Sequence, residues 1–125
     1  MKKFNSKIKK DTLKNKNSRK VLYTSKDLQL ILMSLKPGEE FGLKTHNDTD
    51  QFFRFESGIG KCIINEYEYN VSNGDVIVVP AGSKHNVINT GTTKELQIYT
   101  MYTPHHYIDD LNNAKDAENN NDITF

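Results

Sequence analysis

At 125 residues the chain has the length of one domain with one core. Its formal net charge of +1 supplies no global attraction to nucleic acid or to an anionic membrane, and no apolar run approaches the roughly 20 residues of a membrane span. Cys62 is the single cysteine, which excludes an intramolecular disulfide and sets the expectation of a soluble protein in a reducing, cytoplasmic compartment.

Charge is unevenly spread. Residues 1–20 carry nine lysines and arginines among Asn and Ser, with Phe4, Ile8 and Leu13 too sparse for an apolar face. They read as a solvated or loosely docked basic arm. Part of the arm could form an edge strand instead. No aromatic side chains are interleaved to stack bases, so nothing points to nucleic acid. From residue 21 the texture becomes that of short strands: 21–24, 28–35, 41–46, 51–56, 61–64, 68–71, 76–79, a strand starting at His85, and 95–102. Gly, Pro, Asn and Asp punctuate them at intervals of about eight to twelve residues, the rhythm of an all-β sandwich or barrel. Residues 105–125 are Asn- and Asp-rich and read as a polar, acidic, flexible tail with a short helix near 109–118. The expected organisation is therefore an arm at 1–20, a β domain at 21–104 and a tail at 105–125.

The densest signal lies at residues 74–89, GDVIVVPAGSKHNVIN. Asn73-Gly74-Asp75 closes a hairpin and Val76-Ile77-Val78-Val79 is a buried strand. Pro80 ends that strand, Gly82 allows a tight turn, and His85 opens the next strand. Gly74, Pro80, Gly82, His85 and Asn89 fill the spacing G-x5-P-x-G-x2-H-x3-N, which resembles the second signature motif of the cupin superfamily. The first cupin motif, G-x5-H-x-H-x3–4-E-x6-G, is met in frame by Gly38, Lys44, His46, Gln51 and Gly58, with Lys44 at the first His position and Gln51 at the Glu. The resemblance implies a cupin double-stranded β-helix, or jelly-roll barrel. It also implies one divalent metal ion inside the barrel, Zn being favoured over Fe, Mn, Co or Ni.

Residue chemistry supports a shared site. Lys44 and His46 are two apart on one strand and share a face. Gln51 can oppose them across the intervening loop. Two imidazoles and an amide oxygen make a metal-ligand set with open positions, while the missing carboxylate leaves the ion's charge uncompensated. Lys44 can ligate only after losing its proton, so its expected role is catalytic: a bond to an anionic substrate group or a proton transfer. Phe53 and Phe55 share the face of Gln51, and Tyr99 and Met101 share a face of the last strand. All four are expected to line the pocket. Arg54 is expected to point outward, Cys62 to be a small buried hydrophobe, and His105-His106 to lie outside the site.

The wording of both motifs is similar to small single-domain cupins grouped with mannose-6-phosphate isomerases. That resemblance implies metal-assisted aldose–ketose interconversion of a sugar phosphate, hence an isomerase of carbohydrate metabolism. The alternatives are a non-catalytic cupin that binds a small polar or carbohydrate ligand and, further off, an Fe(II)-dependent dioxygenase. A homodimer is expected, since an exposed edge strand needs cover.

Overall fold

The computed structural model describes residues 4–104, so the expected 109–118 helix and the His105-His106 pair lie outside the described residues. Nine strands and one helix follow in the order α1 (Ile8–Lys14), β1 (Arg19–Thr24), β2 (Gln29–Leu35), β3 (Lys44–Thr45), β4 (Asp50–Ser57), β5 (Ile59–Ile64), β6 (Tyr67–Ser72), β7 (Val76–Val79), β8 (Lys84–Asn89) and β9 (Leu96–Thr103). They form two antiparallel sheets, β1-β2-β9-β4-β7 and β3-β8-β5-β6. This is the jelly-roll arrangement expected. No helix among the described residues is long and apolar enough to cross a membrane.

The core is the set of side chains that each sheet turns inward. Ile31, Met33 and Leu35 of β2, Phe53 and Phe55 of β4, and Leu96, Ile98 and Tyr102 of β9 meet Cys62, Val71 and Val87 from the second sheet. Alternation along each strand produces this directly, since residues two apart share a face. Cys62 is fully buried there, as a small hydrophobe should be.

Of the two forms expected for the basic arm, solvated or loosely docked, residues 8–14 take the docked one: α1 packs on β9 and β4, Thr12 is buried, and Gln97 donates from Nε2 to the Leu13 carbonyl at 2.9 Å. A single buried threonine and a polar side chain from the sheet dock the helix, which is why no apolar stripe announced it. The strand expected over 41–46 is regular only at Lys44–Thr45. Before it, Phe41 donates from its amide to the Val87 carbonyl at 3.0 Å, and Gly42 from its amide to Asn86 Oδ1 at 2.9 Å. An asparagine side chain thus replaces part of the ladder.

Candidate functional site

The site sits between the sheets at the end where β3 and β8 face β4 and β9. Lys44 and His85 are direct register partners across β3 and β8. Gln51 and Tyr102 are register partners across β4 and β9. One face of each pair is turned inward, so four side chains distant in sequence converge. A cavity of about 10 Å³ lies among Lys44, Gln51, Phe53, His85 and Asn86, room for one water-sized guest.

The turn of the second motif is fastened to the loop of the first. Gly82, at φ +85°, donates from its amide to the His46 carbonyl at 2.7 Å. Ala81 donates to Asp50 Oδ1 at 2.8 Å. Only a residue at ease in the left-handed region turns the chain sharply enough here. These bonds bring the two imidazoles to 5.6 Å between centroids, close enough to reach one ion given metal–nitrogen bonds of about 2 Å. His46 also stacks on Tyr102 at 5.8 Å and 12°, and the Tyr102 hydroxyl donates to Gln29 Oε1 at 2.6 Å.

His85 Nδ1 lies 3.2 Å from the Ser83 carbonyl. A carbonyl can only accept, so Nδ1 carries the hydrogen and Nε2 keeps a lone pair. Burial lowers the pKa of His85; the bond to Ser83 opposes that shift, and the charge of Lys44 adds to it. The imidazole is therefore neutral at neutral pH, the state that binds metal. Gln51 is 1% exposed and donates from Nε2 to Thr100 Oγ1 at 3.0 Å. Its Oε1 is buried with no hydrogen-bond partner among the described residues.

A neutral imidazole with an oriented lone pair and a buried amide oxygen are the kinds of donor atom that a divalent cation takes. The set lacks a carboxylate, and among the described residues no group of three His, Cys, Asp or Glu side chains gathers to hold an ion. A three-donor set here would have to include the Gln51 amide beside the two imidazoles.

Comparison with known proteins decides the family. The Cupin domain family model matches residues 31–102. The chain belongs to the cupin family. An uncharacterized protein of Acanthamoeba polyphaga mimivirus is 39% identical over 100 residues, covering 78% of this cupin and 62% of that protein. Uncharacterized protein YrkC of Bacillus subtilis is 43% identical over 103 residues, covering 78% of this chain and 55% of YrkC. The cupin thus spans a little over half the length of these curated relatives. The solved structure of BH2720 from Bacillus halodurans superposes with a TM-score of 0.81 at 35% identity, covering 85% of this cupin and 84% of that chain.

Of the residues expected in the cupin pocket, Lys44, Gln51, Phe53 and His85 line the cavity, and His46 stands beside His85. Phe55 is one step deeper, fully buried in the core behind Phe53 at 6.3 Å. Tyr99 and Met101 are corrected: they face out of the five-stranded sheet, Tyr99 lying against Phe52 at 6.1 Å. Their neighbours Thr100 and Tyr102 take the inward places. The parity of β9 was readable, because Gln97 shares the face of Tyr99 and Met101 while Leu96 and Ile98 share that of Thr100 and Tyr102.

Proposed function

We propose that this cupin binds one divalent metal ion through His46, Gln51 and His85, and that Lys44 receives the anionic end of a small polar ligand bound beside it. The observation that carries this reading is the pairing of His85, its Nδ1 tied to Ser83, with the unpartnered Gln51 Oε1. Both sit at a cavity sized for an ion. Zinc suits two imidazoles and an oxygen. A metal ion and the Lys44 ammonium are both cations, so an anion bound between them is attracted by each, and metal and anion bind with positive coupling.

The sugar-phosphate isomerase reading is the catalytic form of this proposal. Bound metal would supply Lewis acidity toward a sugar carbonyl, and Lys44 would hold the phosphate or move the proton. Ligand pockets typically measure about 300–1,000 Å³, so a sugar phosphate would engage from the mouth, near half-buried His46. Zinc titration with and without mannose 6-phosphate, in wild type and Lys44→Ala, tests the coupling: the phosphosugar tightens zinc in wild type, and Lys44→Ala removes that effect. No coupling in wild type would remove the anion role of Lys44. An isomerisation assay of the loaded protein then decides catalysis.

The metal-free binding cupin is the second reading, favoured by an ammonium at the position of a motif histidine. The donor set lends no support to an Fe(II) dioxygenase, which wants three His or two His and a carboxylate. Pairing of two copies is supported by β7, which is not the buried strand expected but an edge strand with Val76 and Val78 45% and 55% exposed. The lone cysteine, buried as a free thiol, supports a cytoplasmic setting.

A further inference from the structure

Behind Gln51, one buried hydroxyl determines which atom the cavity meets. Thr100 is fully buried in β9 and its Oγ1 donates to the Phe52 carbonyl at 2.8 Å. A hydroxyl has one hydrogen. With that hydrogen committed to Phe52, Oγ1 can only accept from Gln51, and the 3.0 Å contact from Nε2 is that bond. The opposite amide orientation would set Gln51 Oε1 against Thr100 Oγ1, two acceptors facing each other, unless the hydroxyl abandoned Phe52.

We propose that Thr100 is a positioning residue that sets the polarity of the pocket: the chain Phe52 carbonyl–Thr100–Gln51 holds the amide with its NH2 toward β9 and its oxygen free to meet a guest. The interior then presents an acceptor at Gln51 and a donor at Lys44 in one small cavity. That bipolar lining takes a cation, or an O–H or N–H donor, at Gln51 and an anion at Lys44, and it rejects an anion at Gln51. The glutamine is thereby made to act as an oxygen ligand, without the ambiguity that an unrestrained amide carries. The metal-binding consequence rests on the reading of His46, Gln51 and His85 as one site, whereas the amide's orientation depends on no ion.

The test uses the full chain, as wild type, Thr100→Val and Thr100→Ser, the last keeping the hydroxyl. Thr100→Ala serves in place of valine if the valine variant does not fold, as judged by circular dichroism. In the metal-free protein, NMR of the Gln51 side-chain amide shows slowly exchanging NH2 protons in wild type and Thr100→Ser. Loss of the hydroxyl speeds their exchange about tenfold or more. Zinc titration by calorimetry then shows affinity weakened about 10–100-fold by loss of the hydroxyl, the usual effect of removing a partner that orients a ligand, and restored by serine. Unchanged amide protection without the hydroxyl overturns the proposal, as does unchanged zinc affinity where wild type binds zinc. If wild type takes up no zinc, the metal reading fails by itself, and amide exchange still decides whether Thr100 holds Gln51.

Discussion

Gln51 and His85 illustrate how little separates a structural polar residue from a ligand: each has one end anchored to the protein and the other directed to the cavity. Cys62 is the contrasting case, a reactive group made inert by position. Burial pushes its thiol up to about 12 from an ordinary 9.0, so at pH 8–9 the folded protein keeps it protonated. Labelling with a disulfide reagent is therefore expected to proceed at the rate of unfolding, and fast labelling of the native protein would contradict its burial. The folded value lies above the unfolded one, so this contribution to stability is full below about pH 9 and is lost as pH rises toward 12. Phe55→Ala tests the core directly, with an expected loss of about 3–5 kcal/mol in urea unfolding; a loss below 1 kcal/mol would place Phe55 at the pocket rather than in the core. The convergence of Lys44, Gln51 and His85 on one cavity, with His46 beside it, was legible because their motif frame is intact. Thr100 was not, since a threonine in a strand signals only β-propensity until its hydrogen bonds are known.

Among the elements, the turn at residues 80–83 and the loop before β4 act as one clasp. Asp50 takes the Ala81 amide, and the His46 carbonyl takes that of Gly82. Asp50→Ala should weaken zinc binding about tenfold by loosening the separation of the histidines, and Asp50→Asn, which keeps the acceptor, should restore it; equal affinity in all three would show that the clasp does not position the site. Gly60 of β5 makes a different contribution. A Cβ there would lie 2.6 Å from Leu96 Cδ2 and 2.7 Å from the Ile88 carbonyl, so Gly60→Ala should cost about 1–3 kcal/mol by overpacking, measured as a lower urea midpoint. The strand rhythm of residues 21–103 was readable from turn residues and alternation. Helix α1 was not, because its docking rests on Thr12 and on bonds from Gln97 rather than on an apolar face.

At the scale of the molecule, β7 is an edge of the larger sheet, with no strand on its outer side among the described residues. Val78 turns outward there, so Val78→Lys should leave the fold intact and convert a sedimenting dimer to a monomer; a wild type that already sediments as a monomer would remove the pairing proposal. The fold was legible as a whole because five matched positions of the second motif and the frame of the first constrain both sheets at once. Which atoms face the interior was less so, since a one-residue change of parity in β9 exchanges Tyr99 and Met101 for Thr100 and Tyr102. The proposed site holds one divalent ion on His46, Gln51 and His85. Elemental mass spectrometry of tag-free, zinc-reconstituted protein tests it most directly, with His105-His106 altered throughout and His46→Ala and His85→Ala alongside. About one zinc per chain is expected in the protein with both site histidines, and loss of zinc in each alanine variant. No zinc with both histidines present, or zinc retained in both variants, would contradict it.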